Sequence, residues 1–334
     1  MHGEKMRILI TGGAGSIGTH VISYILKKTD WKIVNLDSFR HKGFKDRTKQ
    51  FLSNSRFTEF QHDLVCPISP ELEKAIGEVD IILHLAALSD VFLSVENPVY
   101  VIKNNVDSTL VMLEYARKIK PKQFIYFSTD EVYGMVKSGY THKEWETHRP
   151  SNSYSASKAA CEDICYAYWR SYDVPVIITN TMNNFAPMQS NSKFPVVIQK
   201  CIEEGKTVKI HGNEKEIGTR FYIHSTNTAD ALLHIIKLGA YHHRIGELDE
   251  PNRYNIVGDK CLSNLELAQA IAKLMGKELK YELVDFHKDN PAHDIHYGLD
   301  GTKLKESGWV SPMSFEESLK ETIKWQSDNK EWIV

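Results

Sequence analysis

The sequence predicts an α/β fold in which a doubly wound parallel sheet is joined to a smaller, mixed α/β domain. Short apolar runs rich in β-branched residues alternate with helix-like segments in the first half of the chain, as in a parallel sheet covered by helices. A glycine-rich run at 11–18 stands between the first strand and the first helix. In the second half the alternation becomes irregular. We therefore expect 1–180, together with 222–250, to form the sheet domain, and 181–221 with 251–334 to form the smaller domain.

The composition excludes several classes of protein. A formal net charge of −2 over 334 residues favours neither nucleic acid nor an anionic membrane as a partner. Five irregularly spaced cysteines do not suggest a disulfide framework and favour a reducing compartment. No apolar run approaches the roughly 20 residues of a membrane span, and the first residues do not resemble a secretion signal. We expect a cytoplasmic protein. The spacing of His287, His293, Asp294 and His296 fits no metal-site pattern, so no metal is predicted.

The glycine-rich run, Thr-Gly-Gly-Ala-Gly-Ser-Ile-Gly, follows a predicted strand at 7–10 and leads into a predicted helix at 17–28. Glycines in such a loop let the main chain approach a pyrophosphate, and the helix N-terminus offers N–H groups to the anion. Asp37, about 20 residues further on, is placed to bind the adenosine ribose. Its charge would repel a 2′-phosphate and favours NAD over NADP, although Arg40 and Lys42 nearby carry the opposite charge. The predicted cofactor contacts here are Gly12, Gly15, Ser16, Ile17, Gly18 and Asp37.

Two further strand ends are predicted to lie beside the cofactor. A strand at 57–60 leads to Asp63, which is a candidate partner for the adenine amino group or, alternatively, a helix cap. A strand at 79–87 ends in small residues that would let a cofactor lie flat. His84 within this apolar strand is expected to be a core residue. The predicted cofactor contacts in these segments are Asp63, Leu64, Leu85, Ala86 and Ala87.

The strongest signal for chemistry follows the strand predicted at 122–127. Its end carries Ser-Thr-Asp-Glu-Val-Tyr-Gly, and the carboxyl ends of parallel strands are where such sheets place their active sites. A Tyr-Ser-Ala-Ser-Lys run follows, in which Tyr154 and Lys158 lie one helical turn apart and share a face. A solvated loop pair is the alternative explanation for the two acids. We expect five polar groups to surround one substrate: Thr129, Asp130, Glu131, Tyr154 and Lys158. Of these, Tyr154 and Lys158 are also predicted cofactor contacts.

The remaining pattern predicts several helices and one further strand. Helix 154–172 is apolar nearly all round, so it should be buried on more than one side, in the core or against a second subunit. The other predicted elements are helix 97–118, strand 174–179 and helices near 194–205, 226–238, 263–275 and 314–326.

Taken together, these motifs resemble the extended short-chain dehydrogenases/reductases. The glycine-rich loop, Asp37, His-Leu-Ala-Ala, Ser-Thr-Asp-Glu-Val-Tyr-Gly, Tyr-Ser-Ala-Ser-Lys and Asn-Asn-Phe-Ala-Pro are similar to the nucleotide-sugar dehydratases of the dTDP-glucose 4,6-dehydratase type. The likeness runs over nearly the whole chain. The Thr-Asp-Glu triplet is the discriminating motif, because sugar 4-epimerases of the same fold lack the acid pair. The resemblance implies an NAD-binding Rossmann domain, a substrate-binding lid, and a homodimer formed through helices 97–118 and 154–172.

The activity implied by the resemblance is NAD-dependent dehydration of an NDP-hexose to an NDP-4-keto-6-deoxyhexose. Carbon 4 is oxidised, water is eliminated across carbons 5 and 6, and a hydride returns to carbon 6. Tyr154, with a pKa lowered by Lys158 together with the positive nicotinamide, takes the proton from the carbon-4 hydroxyl, which Thr129 holds. Glu131 removes the carbon-5 hydrogen. Asp130, held protonated, donates a proton to the departing carbon-6 hydroxyl.

The substrate contacts implied by the resemblance are less uniform. The two arginines with which the family grips the diphosphate are absent in register, at 217–222 and at 290–293. Arg220 is the predicted substitute, since a planar guanidinium suits a diphosphate. The nucleotide and the hexose stay open, and so do a related 5,6-dehydratase, a 4-epimerase and a non-catalytic NAD-binding regulatory protein. The predicted substrate contacts are Ser89, Thr129, Glu144, Asn183, Asn184, Lys193, Arg220, Asn255 and His293.

Overall fold

The computed structural model describes residues 5–40, 44–213, 215–240, 250–285 and 294–332. None of the helices within these ranges is both long enough and apolar enough to cross a bilayer. The predicted contact His293, together with His287 and Lys42, lies outside the described residues.

In the described part of the chain, seven strands form one parallel sheet. They are, in the order in which they lie side by side, β3 (Phe57–Gln61), β2 (Lys32–Asp37), β1 (Arg7–Thr11), β4 (Ile81–His84), β5 (Gln123–Thr129), β6 (Val176–Thr181) and β10 (Asn252–Ile256). The strand order reverses between β1 and β4, where Ile8 lies opposite Ile33 on one side and Ile81 on the other. This switch point is where doubly wound sheets bind their ligands.

Helices cover both faces of this sheet. Along the chain the helices of the described residues are α1 (Ser16–Lys28), α2 (Phe44–Thr48), α3 (Pro70–Ile76), α4 (Val91–Glu96), α5 (Pro98–Ile119), α6 (Ser153–Tyr172), α7 (Phe194–Glu203), α8 (Ser225–Leu238), α9 (Asn264–Met275), α10 (Thr302–Glu306) and α11 (Phe315–Asp328). Of these, α7, α9 and α11 belong to the smaller domain. Ile8 and Ile10 of β1 pack in the core beneath α1 and α8, whereas Leu9 between them packs in the core beneath α5 and α6. The strands are apolar on both faces because both faces are covered.

The smaller domain is built around three helices and short strands. β11 (Cys261–Ser263) pairs antiparallel with β9 (Thr219–His224), β9 pairs with β7 (Asn183–Phe185), and β12 (Tyr281–Val284) pairs with β8 (Val208–His211). Its core joins apolar side chains of α7, α9 and α11, among them Ile198, Leu267 and Phe315. Capping boxes at Ser263 and Ser314 fix the starts of α9 and α11.

The fold class predicted from the sequence is confirmed, with two local corrections. β10 pairs in register with β6, Asn252 opposite Ile177, so 252–256 belongs to the large sheet and not to the smaller domain. The strand predicted at 79–87 is only Ile81–His84, because Ala86 N–H donates to the Thr11 hydroxyl instead of continuing the ladder. The other predicted helices are present within a few residues of their expected bounds.

Candidate active site

A single long cleft runs along the carboxyl ends of the parallel strands. It brings together every described residue of the predicted cofactor set except Lys158. Those that line it are Gly12, Gly15, Ser16, Ile17, Gly18, Asp37, Asp63, Leu64, Leu85, Ala86, Ala87 and Tyr154. Thr129, Asp130 and Glu131 line the same cleft, so one continuous cavity joins the predicted cofactor and catalytic groups.

The loop before α1 has the shape that a dinucleotide needs. Gly12 has a φ of +72°, and a Cβ there would lie 2.8 Å from the main chain of Ala86. A Cβ on Gly18 would collide with the main-chain oxygen of Gly12, so the helix packs against the loop only because both positions are glycine. Gly15 is the N-cap of α1 and offers no side chain to the first N–H groups of the helix. Those groups are left for an anion.

Asp37 is a buried carboxylate at the end of β2 and at the edge of the cleft. Its Oδ2 accepts from Ala14 N–H (3.0 Å) and its Oδ1 accepts from Phe39 N–H (2.9 Å). The carboxylate therefore fixes the glycine loop in addition to lining the cleft. These residues fit the ribose and pyrophosphate of NAD.

At the far end of the cleft, Arg40 makes contacts that the sequence did not predict. Its guanidinium donates to Asp63 Oδ1 (3.1 Å), Asn104 Oδ1 (2.8 Å) and the Tyr100 hydroxyl (3.2 Å). Asp63 also accepts from Val65 N–H (3.2 Å). Arg40 Nε also donates to the Ser38 hydroxyl (3.2 Å), so Arg40 is engaged by an acid and three neutral groups. The adenine contact of Asp63 stays a prediction.

His84 is a core residue, as predicted. It is 1 % exposed, and its ring nitrogens contact the hydroxyls of Thr11 (2.7 Å) and Thr109 (3.2 Å). Burial lowers its pKa to about 3, so the ring is neutral at ordinary pH. It serves to join β1, β4 and α5 beneath the cleft.

The catalytic turn, defined here as Thr129, Asp130 and Glu131, lies where β5 passes into the one-turn 3₁₀ helix Asp130–Tyr133. The Thr129 hydroxyl donates to Asp130 Oδ1 (2.9 Å). Asp130 is 4 % exposed, and its Oδ2 has no hydrogen-bond partner among the described residues. Burial, together with the charge of Glu131, raises the pKa of Asp130 to about 7. The sequence-based expectation of a protonated acid here therefore has a physical cause in the fold.

Glu131, next to it, lies in a different environment. Its Oε2 accepts from Asn152 Nδ2 (3.1 Å), and burial raises its pKa while that hydrogen bond and the charges of Arg220 and Lys193 oppose the rise. Asn152 was not predicted as a site residue. Its signal in the sequence was its position before helix α6, where it forms a capping box with Ser155. The same side chain thus starts the helix and holds the acid.

Tyr154 and Lys158 lie on the first two turns of α6, and both are buried. Lys158 Nζ donates to the main-chain oxygen of Phe127 (2.6 Å), and burial lowers its pKa to about 8. Burial also raises the pKa of Tyr154, with the charges of Glu131 and Asp130 adding to the rise and a hydrogen bond with Thr129 opposing it. The part of the predicted lowering that was assigned to Lys158 is not found among the protein's own groups, because burial and two carboxyl groups act on the phenol and Lys158 Nζ donates to Phe127. The combined effect of Lys158 and the nicotinamide stays a prediction.

The predicted substrate contacts fall into two groups. Ser89, Asn183, Asn184 and Lys193 line the cleft. Glu144 and Asn255 do not. The buried Glu144 carboxylate accepts from Asn255 N–H (3.1 Å), and the Asn255 amide donates to the main-chain oxygens of His142 (3.0 Å) and Asp300 (3.1 Å). In the structure these two residues hold the 142–144 segment to β10.

Arg220 has a different role from the predicted grip on a diphosphate, and it does not line the cleft. Its guanidinium donates to the main-chain oxygens of Thr219 (2.7 Å), Asp294 (2.7 Å) and Ile295 (2.5 Å). It also lies over the ring of Tyr297, 4.5 Å from the centroid. Arg220 therefore holds the 294–297 segment in place. Its positive charge opposes the rise in the pKa of Asp130 and of Glu131.

The two neighbours of Asp130 should move its pKa in opposite directions. Glu131→Gln removes a negative charge and is expected to lower the pKa of Asp130 from about 7, whereas Arg220→Gln removes a positive charge and is expected to raise it. Carboxyl-carbon NMR of aspartate-labelled protein, titrated against pH, measures both shifts. Shifts of the same sign in the two variants would contradict this account.

In the unfolded chain Asp130 titrates near 3.8, so its contribution to the free energy of unfolding is lost as the pH rises from that value through about 7.

Comparison with known proteins agrees with this geometry. The chain matches the model of the GDP-mannose 4,6 dehydratase family over residues 9–322. It is 32 % identical to a dTDP-glucose 4,6-dehydratase of Escherichia coli, covering 98 % of this chain and 95 % of that one. It is also 32 % identical to the dTDP-glucose 4,6-dehydratase of Haemophilus influenzae, over 96 % and 97 % of the two chains. The family description and the relatives therefore name different nucleotides.

Solved structures show the same likeness. The dTDP-glucose 4,6-dehydratase of Bacillus anthracis in complex with NAD has a TM-score of 0.82 and 27 % identity, with 98 % of each chain covered. The enzyme of Streptomyces venezuelae, with NAD bound, has a TM-score of 0.86 and 28 % identity over 98 % of each chain. A UDP-glucose 4-epimerase of Thermus thermophilus, at 24 % identity and a TM-score of 0.81 over 96 % of this chain and 98 % of that one, shares the fold.

The comparisons, with which the acid pair and the cleft agree, show an NAD-dependent NDP-hexose 4,6-dehydratase. The chain belongs to the GDP-mannose 4,6 dehydratase family, among the nucleotide-sugar 4,6-dehydratases of the extended short-chain dehydrogenases/reductases.

Proposed function

We propose that the cleft converts an NDP-hexose to an NDP-4-keto-6-deoxyhexose with Thr129, Asp130, Glu131, Tyr154 and Lys158 as its working groups. The observation that carries this proposal is the acid pair. The pKa of Asp130 is raised to about 7, so this carboxyl group exchanges its proton near neutral pH, while Glu131 beside it is stabilised by a hydrogen bond from Asn152. An acid and a base side by side are what an elimination of water needs.

The cofactor is held by the glycine loop and Asp37. When bound, NAD accepts a hydride from sugar carbon 4 and supplies it to carbon 6. The protein's part at carbon 4 is to hold the hydroxyl between Thr129 and Tyr154 and to take its proton onto the Tyr154 oxygen. Because burial and the two acids raise the pKa of that phenol, a cationic group beside it is required for the transfer. Lys158 supports the proton transfer by donating to the main-chain oxygen of Phe127, which fixes the end of β5.

The protein's part at carbons 5 and 6 belongs to the acid pair. Glu131 removes the proton on carbon 5, which a carbon-4 ketone makes acidic, and returns it to carbon 5 when carbon 6 is reduced. Asp130 gives its proton to the carbon-6 oxygen, so that water leaves and the Asp130 carboxylate remains. The free Oδ2 of Asp130 is the atom from which this proton is given, because Oδ1 is engaged by Thr129. Ser89, Asn183, Asn184 and Lys193 line the part of the cleft left for the nucleotide-linked portion of the substrate.

A panel of nucleotide sugars tests the proposal. The protein is incubated with NAD and, separately, with dTDP-glucose, GDP-mannose, UDP-glucose and UDP-N-acetylglucosamine, and the products are weighed by mass spectrometry. We expect one of them to lose one water with no net change in NAD. A product of unchanged mass and inverted configuration would make the chain an epimerase instead, and no product from any nucleotide sugar would remove the proposed activity.

We also propose that the chain forms a homodimer through α5 and α6. These two helices pack against each other, and their outer faces expose large apolar side chains. Val99 is 69 % exposed and Tyr172 is 50 % exposed. Such side chains in a helix pair favour a second copy as partner. Sedimentation should give twice the chain mass, and a Val99→Glu variant should shift the mass toward one chain.

The five free cysteines support the further proposal of a reducing, cytoplasmic location.

A further inference from the structure

A buried ionic cluster lies beneath the catalytic turn, and the chemistry above does not use it. Its centre is Glu162 of α6, whose side chain is 0 % exposed. Glu162 Oε2 lies 3.2 Å from Arg253 of β10 and 3.1 Å from Nε2 of His148. These contacts lower the pKa of Glu162 in spite of its burial, so it is ionised. Buried ion pairs of this kind add little net stability, and a positional role is the best-attested reason to keep one.

Glu162 shares a face of α6 with the two catalytic groups of that helix. Tyr154, Lys158 and Glu162 follow one another at intervals of four residues, one helical turn each. Lys158 reaches the main-chain oxygen of Phe127. The main-chain oxygen of Thr129 lies two residues further along β5. α6 and β5 pack against each other, so the helix supports the end of this strand.

Asn180 of β6 connects Glu162 to that second oxygen. Its Nδ2 donates to Glu162 Oε1 (2.7 Å) and to the main-chain oxygen of Thr129 (3.2 Å). One amide nitrogen carries two hydrogens, so both bonds form at once. An ionised carboxylate only accepts, so it fixes which way the Asn180 amide faces. A neutral amide at 162 can donate as well as accept, so it would leave the orientation of Asn180 to the longer contacts with the Thr129 oxygen (3.2 Å) and with the Tyr133 hydroxyl, which donates to Asn180 Oδ1 (3.4 Å).

We propose that Glu162 and Asn180 are positioning residues, in which ionised Glu162 orients the Asn180 amide and this amide holds the main chain of the catalytic turn against Tyr154. Arg253 and His148 keep Glu162 charged and fixed. The kinetic consequence of this inference rests on the proposed function. The effect on the catalytic turn can be measured without substrate, from the titration of Asp130.

Glu162→Gln is the decisive variant, because it keeps the size of the side chain and removes the charge. We expect kcat to fall about 10²-fold, the cost of a misplacement of roughly 1 Å, with KM for the sugar nearly unchanged. Loosening the turn should also let water reach Asp130 and move its titration midpoint, measured by carboxyl-carbon NMR, below about 7. An Asn180→Ala variant should show the same two changes.

Two further variants distinguish a positioning role of Glu162 from a contribution to thermal stability. Glu162→Gln combined with Arg253→Gln removes both charges, so it should recover thermal stability but neither kcat nor the Asp130 midpoint. Asp230→Asn is the matched control, because Asp230 accepts from Tyr24 and Trp309 away from the cleft. It should lower the melting temperature and leave both readouts unchanged.

Recovery of kcat and of the Asp130 titration midpoint in the double variant would reduce Glu162 to a stabilising residue and overturn the inference. If the wild-type protein turned over no sugar, the proposed function would fail, and the NMR midpoint alone would decide the positioning role.

Discussion

Tyr154→Phe is expected to lower the rate of water loss by roughly 10²- to 10⁴-fold, the usual contribution of a positioned proton-transfer group. The phenol oxygen is the atom proposed to receive the proton of the carbon-4 hydroxyl, and the substitution removes only that oxygen. The ring itself is buried beside Leu88 and Val101, so its packing should be kept. Product formation by mass spectrometry gives the rate, and circular dichroism gives the fold.

A matched control removes a buried phenol oxygen elsewhere. The Tyr115 hydroxyl is buried in the core beneath α5 and has no hydrogen-bond partner among the described residues. Tyr115→Phe should therefore keep the wild-type rate. Cofactor binding to the Tyr154→Phe protein, measured by calorimetry, should persist because the glycine loop is untouched. A Tyr154→Phe rate within tenfold of the wild type would remove Tyr154 from the proposed mechanism.

The second large effect is expected at the acid pair. Asp130→Asn and Glu131→Gln should each lower water loss by roughly 10²- to 10⁴-fold, because each removes one of the two proton transfers of the elimination. The two variants should differ in deuterated water. With Asp130→Asn, Glu131 remains as the base, so carbon 5 of the recovered sugar should exchange its hydrogen for deuterium. With Glu131→Gln, that exchange should disappear.

The control for the acid pair is Asp90→Asn, which neutralises a carboxylate that caps α4. Asparagine caps helices about as well as aspartate, so the variant should keep both the rate and the exchange. A carbon-4 epimer of unchanged mass, formed at the wild-type rate by the variant that combines Asp130→Asn with Glu131→Gln, would instead indicate an epimerase, which needs no acid pair. Equal exchange in the two single variants would show that the roles of acid and base are assigned wrongly.

What the sequence could predict was set by local pattern. The glycine loop, Asp37 and the catalytic turn each follow directly after a strand, so a few neighbouring residues specify their place at the sheet edge. The placement of β10 is different, because its partner in β6 lies some seventy residues earlier and short apolar strands look alike in any sheet. No strand was therefore predicted at 252–256, and these residues were expected in the smaller domain.

The same limit explains the corrected side chains. Arg220 was expected at a diphosphate because its chemistry suits one, but its hydrogen-bond partners are main-chain oxygens of Asp294 and Ile295, which lie 74 and 75 residues away. The pKa of Tyr154 depends on how near three charged groups come to one oxygen in space, and a spacing of four residues on a helix does not determine that. Both errors concern long-range geometry and leave the chemical identity of the groups intact.

The late strand β10 has a consequence for biosynthesis. As the nascent chain leaves the ribosome, β6 keeps one bare edge until residue 256 has emerged, because its neighbour is encoded far downstream. Pairings across such a distance raise the contact order and slow folding, and an unsatisfied strand edge invites association with other chains. Newly made molecules therefore pass through an interval in which the nucleotide-binding half is synthesised but its sheet is incomplete, and chaperones that shield strand edges would act in that interval.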